Sequence, residues 1–280
     1  MKKNIFISLL LTVSLGIVFD SCKKPETDTE TQSATDNAIC EAEFTAIMPS
    51  TNARAVKQVG INGNKLAAGA GPYVVIDSSI NGQKWPRRMH IDFDRDPTGT
   101  VTGGFTDADG RFRKGILSML FDTTWVTAKN PRVTIDTMKN YSVNGITYKA
   151  RAIIISKTSN SYSTTVEDGS CTNSSWTLKW SGTRTFTIFN SGKSNEEVHV
   201  TGSANGTNRD NVSYSTNITS PLVKSTACTY ISSGVIDITP SGKAVRTIDY
   251  SVDAAGNHKS ACDNAVALVI KGNTFIFKID

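Results

Sequence analysis

Short β-prone runs separated by turn dipeptides occupy the chain from Pro72 onward, and this pattern constrains the fold more than any other feature. β-Branched and aromatic residues favour strands, while Asn-Gly and Asp-Gly pairs favour tight hairpin turns. Consecutive hairpins with short turns build antiparallel meanders. The pattern therefore predicts an all-β domain over residues 72–280, either a two-sheet sandwich or one extended curved sheet.

The predicted meander is divided by hairpin-type turns with Gly or Asn at their centres. The turn segments are Asn81-Gly82, Asp109-Gly110, Asn144-Gly145, Ser241-Gly242 and Lys271-Gly272-Asn273. The predicted strands cover residues 73–76, 88–93, 114–121, 132–135, 146–155, 176–180, 183–189, 197–202, 212–219, 234–239, 244–250, 265–271 and 274–278.

One helix is predicted ahead of the β domain, near residues 34–48. Ser33 and Asp36 have the three-residue spacing of a capping box, with Asp in place of Glu. The apolar positions that share one helical face are Cys40, Phe44, Ile47 and Met48. Pro49 is expected to end the helix, and an irregular connection then runs to residue 71. The helix and this connection make up residues 36–71, and the apolar face is expected to dock on the sheet.

The first 22 residues are typical of a bacterial signal peptide that ends in a lipidated cysteine. Lys2 and Lys3 precede an apolar run over residues 5–18, which is too short to span a bilayer. Residues 1–21 are predicted to be removed, and Cys22 to carry the acyl chains. Ordinary secretory cleavage, which leaves Cys22 as a free thiol, is the alternative.

A lipidated Cys22 predicts a protein held in the cell envelope, at the outer membrane, through its N-terminal lipid. Residues 22–35 lack apolar periodicity and are predicted to be a disordered tether. Three acidic residues follow Lys23-Lys24 and resemble a surface-export signal of lipoproteins, but the two lysines stand between them and Cys22. The sequence therefore leaves both the periplasmic and the surface face open.

Charge and motifs exclude several classes of function. The net charge of +5 is mild for 280 residues and the basic residues are scattered, so no nucleic-acid partner is predicted. The chain contains no GxSxG, HExxH or P-loop motif, and no cofactor is predicted. One strand face carries Trp176, Leu178 and Trp180. We interpret this face as buried in the core rather than as an exposed platform that stacks on sugars.

Closely spaced aspartates are the only candidates for metal binding or acid–base chemistry. They are Asp92, Asp94, Asp96, Asp107 and Asp109. Their spacing fits the start of a calcium loop, but Pro97 and Gly103 stand where an EF-hand needs Gly and Glu. Solvated turn aspartates are the preferred interpretation, and a looser calcium site stays a weak alternative.

Several segments together resemble a family of uncharacterised Bacteroidota lipoproteins. They are residues 87–93 (RRMHIDF), 109–115 (DGRFRKG), 141–146 (YSVNGI), 206–214 (GTNRDNVSY), 234–250 (GVIDITPSGKAVRTIDY) and 262–264 (CDN). The resemblance covers most of residues 85–280 and implies an all-β surface or periplasmic lipoprotein. It implies no activity, because the family has none assigned.

Four cysteines follow Cys22, and export permits disulfides between them. Cys228 and Cys262 flank the strands between Gly234 and Tyr250, whose antiparallel pairing brings their ends side by side. A Cys228–Cys262 disulfide is therefore predicted, against the alternative of two buried thiols. No pairing is predicted for Cys40 and Cys171; for Cys40, a buried apolar cysteine is at least as well supported as a bridge.

These features predict a non-catalytic structural or binding module of unknown specific role, with a glycan or an envelope protein as candidate partner. The alternative is a hydrolase acting on polysaccharide, with two aspartates as acid and base. That alternative requires two of Asp92, Asp94, Asp107 and Asp109 to face each other across a groove.

Overall fold

The computed structural model describes residues 28–56, 71–77, 83–225, 227–228, 230–258 and 262–278. The predicted signal peptide, the lipidation site Cys22 and the turn at Asn81-Gly82 lie outside the described residues. Within them, one α-helix, α1 (Gln32–Ala55), precedes a succession of β-strands. No helix in this part of the chain is both long enough and apolar enough to cross a membrane.

The strands follow one another with short connections. The first eight are β1 (Tyr73–Ile76), β2 (Arg87–Asp92), β3 (Phe105–Thr106), β4 (Phe112–Phe121), β5 (Arg132–Val143), β6 (Ile146–Lys149), β7 (Ala152–Lys157) and β8 (Ser161–Thr172). The remaining seven are β9 (Thr177–Phe189), β10 (Glu197–Thr207), β11 (Ser213–Ser225), β12 (Ser233–Pro240), β13 (Arg246–Asp249), β14 (Ala265–Ile270) and β15 (Asn273–Lys278).

All fifteen strands belong to one antiparallel sheet, so the predicted all-β meander is confirmed in its extended, single-sheet form. The strand order is β1-β2-β4-β5-β6-β8-β9-β10-β11-β12-β13-β14-β15. β3 pairs with β4. β6 and β7 each pair with β5 on one side and with β8 on the other. The predicted hairpin turns at Asn144-Gly145 and Lys271-Gly272 have positive φ at both central residues, as a type I′ turn requires.

Helix α1 is longer than predicted at both ends. Pro49 lies inside it rather than at its end. Proline lacks the N–H that would bond the carbonyl one turn back, but Met48 before it and Thr51 after it are both buried. Packing of the helix on the sheet outweighs the lost hydrogen bond, because helices in proteins depend mainly on such packing.

The start of α1 also differs from the predicted capping box. Thr31 is the N-cap residue, and Ser33 and Asp36 are buried within the first turns. The Glu30 carboxylate accepts the Ser33 N–H at 2.6 Å, which satisfies one of the free donors of the first turn. The predicted tether over residues 22–35 therefore does not extend to residue 35, because the helix begins at Gln32.

The main core lies between α1 and the first ten strands. The predicted helical face formed by Cys40, Phe44, Ile47 and Met48 is buried in it, as expected. Phe44 stacks on Trp180 with ring centroids 5.7 Å apart. Leu178 and Trp180 are buried, which confirms the buried-face interpretation for these two residues. A second, smaller core cluster lies on β11 and β12.

Candidate functional site

Arginines on the sheet hold helix α1 and the residues before it. Arg113, Arg184 and Arg246 are completely buried, which is unusual for charged side chains. Each meets a carboxylate: Arg113 meets Glu43 at 3.1 Å, Arg184 meets Glu41, and Arg246 meets Asp28. Burying an ion is costly unless it is paired and hydrogen-bonded. These contacts therefore fix where the helix lies.

Three segments on which the family resemblance rests supply contacts of this kind. Arg111 and Arg113 of the 109–115 hairpin both contact Glu43 at 3.1 Å. Arg209 of segment 206–214 contacts Asp36 at 2.6 Å, and Asn208 donates to the Ser33 hydroxyl. Arg246 belongs to segment 234–250. These motif residues thus serve to dock the helix on the sheet.

Asp107 and Asp109, predicted as weak calcium or acid–base candidates, are partners of buried arginines. Asp107 contacts Arg54 at 2.9 Å and Arg113 at 3.2 Å. Asp109 contacts Arg113 at 2.7 Å. Partial burial disfavours the charged form of Asp109, but the Arg113 guanidinium outweighs it and lowers the pKa of the carboxyl. Asp107 thus contacts α1 directly through Arg54, and Asp109 holds Arg113, which in turn contacts Glu43 on α1.

A buried tyrosine completes this cluster. Tyr141 donates its phenolic O–H to Glu43 at 2.5 Å, and Arg113 donates to the Tyr141 oxygen at 3.2 Å. Burial and the Glu43 carboxylate hold the pKa of Tyr141 well above its usual range. The phenol therefore acts as a neutral hydrogen-bond donor.

Asp92 and Asp96 satisfy local backbone groups through their carboxylates, whereas Asp94 accepts the Thr102 N–H through its backbone carbonyl at 2.8 Å. Asp92 accepts the Asp94 N–H at 3.0 Å and pairs with Arg95 at 3.3 Å. Asp96 accepts the backbone N–H groups of Thr98 and Thr100, as a turn aspartate does. No group of three or more His, Cys, Asp or Glu side chains able to hold a metal occurs among the described residues.

A cavity of about 1040 Å³ lies between α1 and the last three strands. This volume is just above the range of about 300–1,000 Å³ that is usual for ligand pockets. Its strand wall consists of Ile248, Tyr250, Val266, Leu268, Ile270 and Phe275. Val266, Leu268 and Ile270 alternate along β14 and so share one face. This wall is hydrophobic apart from the Tyr250 hydroxyl.

The helical wall of the cavity carries small side chains. It consists of Thr29, Thr31, Ala34, Thr35, Ala38 and Ile39. At 3.6 residues per turn, Thr31, Thr35 and Ala38 fall on the side of the helix opposite Cys40 and Phe44. These three residues are exposed, so the cavity opens to solvent on this side. Small side chains leave the space that Leu or Phe would fill.

Among the described residues, the lining contains no charged side chain. Its polar groups are the hydroxyls of three threonines and of Tyr250. Burial raises the pKa of Tyr250 to about 12, so its phenol is neutral at physiological pH. Such a surface suits an apolar chain that carries at most uncharged hydroxyl, ester or amide groups.

Arg246 holds one wall of the cavity in place. Its guanidinium contacts the Asp28 carboxylate through both terminal nitrogens, and its Nε donates to the Glu30 carbonyl at 2.8 Å. Asp28 also accepts the Ala244 N–H at 3.0 Å. Thr29 and Thr31 lie on either side of Glu30, so these bonds keep both side chains against the cavity.

Two disulfides link parts of the chain that are far apart in sequence. Cys228 and Cys262 form the predicted pair, with Cα atoms 5.5 Å apart. Cys40 and Cys171 also pair, with Cα atoms 6.0 Å apart, which joins α1 to β8. The sequence left the second pair open. In the fold it lies in the main core, on the side of the helix away from the cavity.

Comparison of the chain with protein-family models, with curated proteins and with solved structures finds no match. The functional argument therefore rests on the cavity and on the residues that build it.

The bond between Asp28 and Arg246 predicts a dependence of stability on pH. Hydrogen bonds from Arg246 lower the pKa of Asp28 from its ordinary 3.8 to about 2. The stabilisation is therefore complete above the unfolded value of 3.8 and is lost as the pH falls through about 2. We expect Asp28→Asn to unfold at lower urea concentration than the wild type at pH 7.

The same comparison at low pH tests the assignment. The urea midpoints of the wild type and Asp28→Asn should approach each other as the pH falls to 2 and below, because the wild-type carboxyl then becomes protonated as well. Asp94→Asn is the control for the change in net charge. Asp94 follows β2, near the other end of the strand order. A difference that persists at full size at pH 2, or is missing at pH 7, contradicts the prediction.

Proposed function

We propose that this protein is a lipid-anchored, non-catalytic binding module of the cell envelope, and that it holds an apolar chain in the cavity between α1 and β13–β15. The observation that carries the proposal is the cavity itself. A recess of about 1040 Å³ that opens to solvent and has a hydrophobic strand wall leaves apolar surface accessible, and such surface usually marks a binding site. Large apolar pockets with a few polar groups are the usual form of a ligand site.

The chemistry of the lining favours an apolar chain over a glycan. Sugars are bound by exposed aromatic platforms and by charged or amide side chains, whereas β14 presents Val266, Leu268 and Ile270. The predicted signal peptide and acylation of Cys22 support a location at the membrane, where such chains are abundant. The resemblance to Bacteroidota lipoproteins supports the same location.

A binding experiment tests the proposed site. We expect the mature chain from residue 22, with Cys22→Ser to exclude lipid, to bind the neutral probe N-phenyl-1-naphthylamine saturably, and monooleoylglycerol to displace it. Ala38→Trp should weaken binding at least tenfold, because indole fills the cavity from an exposed helical position that tolerates it.

Ala53→Trp is the matched control. Ala53 is also an exposed alanine on α1, but it lies near the other end of the helix, away from the cavity. This variant should bind the probe as the unsubstituted chain does. Failure of the unsubstituted chain to bind, or equal affinity in both tryptophan variants, would overturn the proposal.

A further inference from the structure

We propose that the cavity receives one of the acyl chains carried by Cys22 of the same molecule, so that the protein can withdraw part of its own membrane anchor. This inference rests on the proposed function and names the source of the apolar chain. Three features of the molecule support it: where the described chain begins, what the cavity is made of, and how firmly the first residues are held.

The described chain begins at the cavity. Thr29 lines it directly, and Asp28 is fixed to Arg246 and to the Ala244 N–H. Cys22 precedes Asp28 by six residues, and an extended chain spans at most about 3.3–3.6 Å per residue. The Cα atom of Cys22 is therefore restricted to within about 20–22 Å of the Cα atom of Asp28, the neighbour of the lining residue Thr29, and a long acyl chain has a comparable length.

Tethering favours this chain over any free lipid. A ligand joined to its site by a short flexible linker has an effective concentration in the millimolar range. A free apolar molecule in the envelope would have to exceed that concentration to compete. The fixed Asp28 keeps the linker short, because only the residues between Cys22 and Asp28 contribute to it.

Transfer of an acyl chain from the bilayer to the cavity changes its free energy little. Each methylene of an acyl chain gains free energy when it leaves water for the membrane, and a hydrophobic cavity provides a comparable gain. A bacterial lipoprotein carries more than one acyl chain, so one can leave while the others keep the protein at the membrane. Since a single chain gives only reversible attachment, withdrawal of one chain loosens the anchor.

Photocrosslinking of the complete, lipidated protein tests the inference. Cells that produce the full chain are fed a palmitate analogue with a diazirine near its end, and the crosslinks are mapped by mass spectrometry after irradiation. We expect crosslinks from the Cys22 lipid to Val266, Leu268 or Ile270 on β14. Ala38→Trp should reduce their yield at least tenfold, and Ala53→Trp should leave it unchanged.

Controls separate the source of the chain from the existence of the site. Label on β14 in the Cys22→Ser full chain would show that a membrane lipid occupies the cavity, which overturns the inference. Crosslinks from the Cys22 lipid only to phospholipid also overturn it. In both cases saturable binding of N-phenyl-1-naphthylamine by the mature Cys22→Ser chain would leave the proposed function standing. Loss of that binding as well would overturn both the inference and the proposed function.

Discussion

Arg113→Met is expected to lower the free energy of unfolding by about 3–5 kcal/mol, which is the usual effect of removing one partner from a buried ion pair. The guanidinium of Arg113 is completely buried and contacts Glu43, Asp107 and Asp109. Without it, Glu43 keeps Arg111 and Tyr141 as partners but loses the cation that is buried beside it. Urea unfolding with both disulfides intact measures the loss.

A double-mutant cycle distinguishes an ionic effect from a packing effect. Replacing both members of a buried pair by apolar residues is often nearly neutral, so Arg113→Met with Glu43→Leu should be more stable than Arg113→Met alone. Arg95→Met is the matched control, since its pair with Asp92 is about half exposed on the arginine side and should contribute about 0–1 kcal/mol. Strictly additive losses, or a loss below about 1 kcal/mol for Arg113→Met, would show that the cluster does not anchor the helix.

Apolar alternation and turn chemistry predicted most of the sheet, and the failures have local causes. β8 was missed because only Tyr162, Val166 and Cys171 interrupt a polar, Thr- and Ser-rich segment. A register shift between Val166 and Gly169 also breaks its period of two, and Asp168 there has a φ of 49°. A bulge of this kind hides a strand from any pattern with a fixed period.

At Gly182 the prediction failed in the opposite way, because one continuous strand was predicted as two. The predicted strands 176–180 and 183–189 leave Ser181-Gly182 between them, yet β9 runs through both residues. A Cβ at Gly182 would lie 2.4 Å from that of Ala204 on β10, so glycine is needed for close approach rather than for a turn. Sequence alone does not distinguish these two uses of glycine inside a strand.

The candidate site was beyond sequence reasoning for a different reason. Its walls come from residues 29–39 and 248–275, which only the complete meander brings together. The ion pairs that position α1 join residues 70, 143 and 218 positions apart. A single sequence contains no signal for such pairings. The one local signal was a second helical face of small residues at Thr31, Ala34, Thr35 and Ala38, opposite the predicted apolar face.

Removal of the Cys40–Cys171 disulfide by a double substitution to alanine is expected to destabilise the protein by about 5 kcal/mol in the chain-entropy model. The bridge closes a segment of 131 residues, against 34 for Cys228–Cys262, and the entropy of the unfolded chain grows with that length. The equivalent substitution of Cys228 and Cys262 should cost about 4 kcal/mol. Urea unfolding of both variants gives the comparison.

Hydrogen exchange then locates each loss, because the two bridges fasten different parts of the molecule. Cys40 lies on α1 and Cys171 on β8, so their removal should increase exchange throughout the helix and expose Phe44 and Trp180. Cys262 precedes β14, so loss of the second bridge should increase exchange in β14 and β15 and leave α1 protected. Since both elements line the cavity, each variant should also bind N-phenyl-1-naphthylamine more weakly. Unchanged protection of α1 without Cys40 and Cys171 would show that the buried arginines alone hold the helix on the sheet.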